Sequence, residues 1–246
     1  MIYHVETLSN VPEPVVDGVH RLPPTGISIL IVGAGLGGLM TACEAWRQGH
    51  DVCVLEQTSG MSQLGDTFGI LPPALTTFRF FPTMHKDFEA CGYDARLSMW
   101  DHTGELVVPH INAPWNRPGL SHKAKGIFAA WIEKRSSVVA AVESQVRRLG
   151  ILLKYGTKVV SYNEDASKGF VRTEYGDVYY ADLVVAADGV GTKSHHHVTG
   201  KKLPAVSSGY AVLRGIIPAD ALRMVSEEAK KKYLSLQRPE FRIYMA

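Results

Sequence analysis

The 246-residue sequence reads as an α/β protein organised around a parallel sheet. Three stretches support that reading. Ser28–Val32 is a short run, apolar after its first residue, that passes through a glycine turn into a helical stretch over Leu36–Gln48. Val52–Glu56 (VCVLE) is a second apolar run of strand length, closed by a carboxylate, and Ala181–Ala187 (ADLVVAA) is a third, closed by Asp188-Gly189. Continuous apolar runs of this length, linked through a helix, are what strands covered on both faces require.

The turn between the first strand and the helix carries chemistry. Gly33, Gly35 and Gly38 stand at G-x-G-x-x-G spacing, and Glu56 follows 23 residues after the first of them. In that pattern Gly33 permits a sharp turn and Gly35 leaves room for backbone to approach a pyrophosphate. Gly38 lets helix and strand pack closely at the positive end of the helix dipole. A carboxylate ending the second strand accepts hydrogen bonds from both hydroxyls of an adenosine ribose and repels a 2'-phosphate, which favours FAD or NAD over NADP at this site. The plain alternative is a packing turn with no ligand. Asp188 is expected at the carboxyl end of a parallel strand, where open α/β sheets bind ligands, or else as a simple turn-forming Asp-Gly.

Composition narrows the function classes. Lys plus Arg number 26 against 24 Asp plus Glu, a net charge of +2, and the cations are dispersed apart from Lys230–Lys232, read as a solvated helix face. No nucleic-acid footprint follows. The three cysteines, Cys43, Cys53 and Cys91, match neither a zinc site nor a disulfide framework, so a reduced, cytoplasmic setting is expected, with Cys43 and Cys53 as small core residues. Ile27–Trp46 has the length of a membrane span, but four glycines between Gly33 and Gly38 and the charge at Glu44 favour strand, turn and helix. Met1–Gly26 has no basic segment leading into an apolar one, so it is read as a partly ordered extension without a secretory signal. His195-His196-His197 project in divergent directions with no further ligand at metal spacing, so no metal is expected.

Further elements follow from local pattern. Gly60, Gly65 and Gly69 suggest a loop returning to the nucleotide, and Pro72-Pro73 opens a helix through Phe78. Leu97–Trp100 and Leu106–Val108 flank a hairpin turn at Asp101–Gly104, and Asn112–Gly119 is a loop or insertion. Glu133–Leu149 has helical apolar spacing at Val138, Val139, Val142, Val146 and Leu149, with Gly150 at its stop. Short strands are predicted over Ile151–Tyr155, Lys158–Tyr162, Phe170–Glu174 and Val178–Tyr180, with turns at Gly156, Gly169 and Gly176-Asp177. Val206–Ile217 reads as a strand, Ala219–Tyr233 as an amphipathic helix, and Phe241–Tyr244 as the start of a further strand.

From about Ile27 to Tyr244 this order of motifs resembles the single-component flavoprotein monooxygenases of the aromatic hydroxylase class, especially fungal salicylate hydroxylase-like enzymes. The matching residues are GAGLGG with Glu56, GDTFGILPPA, Lys134-Arg135 at the start of a long helix, DLVVAADG, and GYAVLRGIIP. The resemblance implies a Rossmann-like FAD-binding domain with a parallel sheet, plus an incomplete, mostly antiparallel substrate-domain sheet. It divides the chain into an extension (1–26), an FAD-binding domain (27–200, with a substrate-domain hairpin inserted near 96–120) and the start of a substrate domain (201–246).

Carried over by position, Gly33, Gly35, Gly38 and Glu56 would hold the adenosine diphosphate half of FAD. Gly69 would approach the cofactor with its backbone, Arg135 would reach the phosphates or ribityl chain, and Asp188 would support both FAD and pyridine nucleotide. The plain alternative for Arg135 is an exposed helix charge. Arg214 and Tyr244 match positions that hold a phenolic substrate, where guanidinium and phenol donors would stabilise a phenolate. The implied reaction is hydroxylation of an aromatic or phenolic small molecule with NAD(P)H and O2, in secondary metabolism, with the flavin performing the hard step.

The chain departs from the family pattern in two places. Thr192 and His195 stand where a Ser and an Arg are usual, and the family's second flavin motif, a Gly-Asp segment, has no counterpart before Ala246. The resemblance therefore implies truncation at the C-terminus. Two other readings fit the same residues: an NAD-dependent dehydrogenase or flavin reductase on this fold, and a catalytically inactive nucleotide-binding fragment.

Overall fold

The computed structural model describes residues 1–5, 14–61, 67–70, 72–91, 96–111, 131–192, 194–201, 204, 206–210, 226–228 and 240–245. In chain order the strands and helices begin with β1 (Ile2–His4), β2 (Val15–Val16), β3 (Val19–His20), β4 (Ser28–Val32), α1 (Leu36–Arg47) and β5 (Asp51–Leu55). Next come β6 (Thr67–Ile70), α2 (Pro72–Leu75) running into a 3-10 turn at Thr76–Phe80, α3 (Pro82–Cys91), β7 (Arg96–Asp101) and β8 (Leu106–Ile111). The remainder is β9 (Trp131–Lys134), α4 (Arg135–Arg148), β10 (Leu152–Lys154), β11 (Val159–Glu164), β12 (Gly169–Thr173), β13 (Val178–Ala181), β14 (Leu183–Ala186), α5 (Ser194–Thr199) and β15 (Glu240–Met245).

The chain divides into two compact units, the first comprising Met1–Gln63, Phe80–Phe88 and Ser136–Tyr210. This unit contains the parallel sheet, in the order β10-β5-β4-β14. Every residue of β4 and β5 is buried, as the unbroken apolar runs require. Alternation along the strands separates two faces. Leu30, Val32, Cys53 and Leu55 pack against Val171, Tyr179 and Ala181 of a second sheet, ordered β1-β13-β12-β11, while α1 packs on β4 and β5 and buries Leu39, Ala42, Cys43 and Trp46. Each fully buried aliphatic side chain of this core contributes on the order of 1.5–3 kcal/mol.

Residues Met1–Val5 join that second sheet. β1 runs parallel to β13, and the Tyr3 and Tyr179 rings stack at 4.7 Å. Downstream, Arg21 is buried beneath α1, where it donates to the carbonyls of Trp46 (3.1 Å) and His50 (2.9 Å) and to Asp51 Oδ1 (3.2 Å). Asp182 clamps the starts of β4 and β14, because its Oδ2 accepts from both the backbone N–H (2.8 Å) and the hydroxyl (2.7 Å) of Ser28. These hydrogen bonds hold the Asp182 carboxyl down at about 2.

The second unit comprises Leu64–Arg79, Glu89–Arg135 and Ala211–Ala246. Its described strands form a sheet ordered β15-β7-β8, antiparallel between β7 and β8 and parallel between β15 and β7, and a two-stranded antiparallel pair, β6 with β9. Asp101 Oδ1 accepts from the Thr103 and Glu105 backbone N–H groups, which fixes the predicted hairpin turn.

Five local expectations need correction. Gly69 lies in a strand, not in a loop, because β6 pairs with β9. For the same reason Glu133 and Lys134 are extended and the long helix begins at Arg135. Gly169 opens β12, and the turn before it is made by Asp165, whose carboxylate accepts from the Ser167 and Lys168 N–H groups. β14 runs parallel to β4 as expected, but it is only partly buried and Leu183 stays 49 % exposed. Val206–Tyr210 is exposed and forms no strand. Gly65, Asn112–Gly119, the remainder of the predicted strand to Ile217, and Lys230–Lys232 lie outside the described residues. Of the predicted helix over Ala219–Tyr233 only Ser226–Glu228 is described, with Glu227 and Glu228 helical. Among the described residues no helix is long and apolar enough to cross a membrane.

Candidate functional site

The glycine turn is shaped by contacts that leave no room for side chains on one side and ample room on the other. Gly33 adopts a φ of +106°, and its N–H donates to Leu55 O (2.7 Å) while the Ala187 N–H donates to Val32 O (2.8 Å), so the turn is pinned between β5 and β14. A Cβ on Gly33 would lie 2.4 Å from the Ala187 carbonyl oxygen, and one on Gly38 would lie 1.9 Å from the Gly33 carbonyl oxygen. By contrast, a Cβ on Gly35 or Gly37 would meet nothing within 4 Å. Gly35 is the N-cap of α1 and no side chain caps that end. The first-turn N–H groups therefore keep their hydrogen-bonding capacity and the positive end of the helix dipole for an anion.

Glu56 closes one side of this turn. Its backbone is fixed by Glu56 N–H to Lys154 O and by Thr157 N–H to Glu56 O, both 2.8 Å. The carboxylate reaches back to the glycine turn, where Oε2 accepts from the Ala34 N–H at 2.7 Å, and Oε1 accepts from the Thr58 N–H (2.9 Å) and hydroxyl (3.0 Å). Each oxygen of a carboxylate has two lone pairs. One acceptor position therefore remains, on Oε2, for a ribose hydroxyl.

Asp188 closes the other side. The position a Gly33 Cβ would occupy is 3.0 Å from Asp188 Cα, so the end of β14 abuts the turn. Asp188 Oδ2 accepts from the Tyr162 hydroxyl at 2.7 Å, whereas Oδ1 is buried with no hydrogen-bond partner among the described residues. Burial and the adjacent carboxylate push the Tyr162 phenol well above the ordinary tyrosine range. Sequence reasoning did not find Tyr162, Ser28 or Asp182. Nothing local marks them, since each acts on a residue at least 26 positions away.

The remaining sequence-predicted residues are placed elsewhere. Gly69 stands opposite Ile132 in the β6–β9 pair, and Arg135 is the first residue of α4 and half-buried, both in the second unit. Tyr244 lies in β15 at the register position of Trp100. Arg214 lies outside the described residues. Thr192 bonds Ser194 (2.9 Å between hydroxyl oxygens), and His195 is exposed on α5. A depression of about 450 Å³, lined among others by Tyr162, Glu164, Asp182, Ser194 and His197, includes none of the turn residues. Cys43 and Cys53 are buried and nearly inaccessible, and burial raises their thiols to about 12 and about 11 respectively.

The turn fits the adenosine diphosphate half of FAD. It has an uncapped helix end for the diphosphate, an open face at Gly35 and Gly37 for backbone approach, a carboxylate with a spare acceptor position for the ribose, and at Asp188 a buried oxygen with no donor among the described residues.

Comparison with known proteins agrees with the geometry. The chain is 38% identical over 223 residues to the FAD-dependent monooxygenase dmxR9 of Cryptosporiopsis sp. (strain 8999), covering 89% of this chain and 43% of that protein. It is also 38% identical over 219 residues to the FAD-dependent monooxygenase mdpD of Emericella nidulans, covering 87% and 42%. Among solved structures, CtdE in complex with FAD and substrate 4 superposes with a TM-score of 0.62 at 26% identity, over 71% of this chain and 40% of that one. The chain thus spans less than half the length of the curated relatives it matches. The family profile described as "FAD binding domain" matches residues 26–246, and with the relatives above it shows that this chain belongs to the FAD binding domain family, whose cofactor is FAD.

Proposed function

We propose that the chain is the cofactor-binding part of an FAD-dependent monooxygenase that hydroxylates an aromatic or phenolic small molecule, using NAD(P)H and O2, in fungal-type secondary metabolism in the cytoplasm. The observation that carries this reading is the crowded turn at Gly33 and Gly38, open at Gly35, with Glu56 and Asp188 on its two sides. Relatives named as FAD-dependent monooxygenases support the reaction class.

In this reading each residue has a task. The α1 end and the backbone at Gly33, Gly35 and Gly38 hold the diphosphate, Glu56 holds the ribose, and Asp188 accepts from a hydroxyl of the cofactor. Gly69 approaches the cofactor with its backbone, and Arg135 supplies a charge to its phosphates or ribityl chain. Arg214 and Tyr244 stabilise the phenolate of the substrate and orient its ring, and the 201–246 segment begins the substrate domain. Bound FAD supplies the oxygen-transfer chemistry. The protein's remaining work is to orient the substrate and exclude water, so no nucleophile is needed.

The test is flavin titration followed by spectrophotometry. Stoichiometric, yellow, FAD-bound protein whose consumption of NAD(P)H rises with phenolic acids is the expected result. A chain that stays colourless in excess FAD, or that prefers NAD in direct competition, overturns it.

A further inference from the structure

We propose that Tyr162 is a positioning residue for the flavin site, holding the Asp188 carboxylate in one orientation so that its second oxygen is kept for a donor on the cofactor. The inference rests on the FAD reading above. It concerns a side chain that approaches the turn from the other sheet of the first unit.

Four observations carry it. Tyr162 is on β11, in register with Val171 of β12, and packs against the core between the two sheets, so its ring has little freedom. Its hydroxyl lies 2.7 Å from Asp188 Oδ2, a charge-assisted bond of the strong kind. The Thr192 side chain also interacts with the phenol, and Thr192 in turn bonds Ser194 at 2.9 Å. Finally, Asp188 Oδ1 is buried beside Gly33 with no partner among the described residues. A buried acceptor without a donor costs about 1–3 kcal/mol, so the fold holds this oxygen at some expense. A hydroxyl brought in by the cofactor would relieve it.

A tyrosine hydroxyl is protonated, and therefore a donor, throughout the physiological range, and burial and the neighbouring carboxylate push that of Tyr162 higher still. A carboxylate locked at one oxygen presents the other in a fixed direction. Without the lock, Asp188 rotates and a single cofactor hydroxyl must also fix its orientation on binding.

The test is a double-mutant cycle on the 246-residue chain, read by FAD dissociation constant and by apo-protein melting temperature. Tyr162→Phe keeps the ring and removes the donor. It should weaken FAD about tenfold, consistent with the loss of one hydrogen bond to a charged group. Asp188→Asn should also weaken FAD, and Tyr162→Phe introduced into Asp188→Asn should weaken it no further, because the phenol acts through the carboxylate. Thr192→Val removes the hydroxyl that interacts with the phenol and should give the same pattern at smaller size, which reads the coupling even if the phenylalanine variant loses its fold. Wild-type-like FAD affinity in Tyr162→Phe, or additive losses in the double variant, overturns the positioning role and leaves the FAD reading standing. A wild-type chain that takes up no FAD overturns both.

Discussion

Adding a single methyl group at three neighbouring glycines separates their roles. At Gly38 the new Cβ would lie 1.9 Å from the Gly33 carbonyl oxygen, more than an ångström inside the 3.0 Å floor for real Cβ contacts, and the obstructing atom is backbone. Relief requires α1 to move off β4, which strains the Gly33 N–H bond to Leu55 O. Overpacking against immovable neighbours costs about 3 kcal/mol, and the better helix propensity of alanine returns about 1 kcal/mol, leaving Gly38→Ala about 2 kcal/mol less stable. For a chain of this size that lowers the melting temperature by roughly 4–8 °C. Gly37→Ala meets nothing within 4 Å and should gain up to about 1 kcal/mol. Gly35→Ala is the informative one. Its φ of −73° suits any residue and its Cβ is unobstructed, so stability should change by less than about 1 kcal/mol. That Cβ would nevertheless occupy the open face, and FAD affinity should fall roughly 10- to 100-fold. Thermal melts and flavin fluorescence titration on the three variants decide the matter. A Gly38→Ala protein as stable as wild type, or a Gly35→Ala protein that binds FAD normally, refutes the reasoning.

Other consequences are independent of the cofactor. Arg21→Ala leaves Asp51 buried without its cation and takes a donor away from the Trp46 and His50 carbonyls, so urea denaturation should show a loss of about 3–5 kcal/mol. Asp182 has its carboxyl lowered to about 2 by Ser28, so its stabilisation is present above the unfolded value near 3.8 and is lost as pH falls toward 2. Asp182→Asn should therefore be less stable at neutral pH by under about 1 kcal/mol, given its exposure, with the difference vanishing in acid. Thiol labelling of the native chain at pH 8 should modify Cys91 ahead of Cys43 and Cys53, whose buried thiols are raised to about 12 and 11; mass spectrometry reads the order, and equal labelling would contradict it.

The strand-turn-helix-strand core was legible because every signal in it is local. β4, α1 and β5 lie within one stretch, and the apolar runs, the glycine spacing and Glu56 each report on neighbours in sequence. Asp188 was legible for a similar reason, as the first residue beyond an apolar strand and its closing alanine. What could not be read depended on distant partners. Glu133 and Lys134 continue a plausible helical stretch, and only pairing with Thr67 and Phe68 makes them extended. The apolar run of β14 promised burial on both faces, yet among the described residues it pairs with β4 alone and is only partly buried. Tyr162 looked like the end of an ordinary strand. Its meaning comes from Asp188, which the fold brings to it from 26 residues along the chain.

In the proposed reading the α1 end and its two flanking carboxylates hold the adenosine diphosphate half of FAD. The most direct measurement is a crystal structure of this chain grown with FAD. Diphosphate density is expected against the backbone amides of the Gly33–Gly38 turn, with a ribose hydroxyl on Glu56. Flavin density away from that turn, or a Glu56 carboxylate bonded only to Ala34 and Thr58 with FAD present, would contradict it.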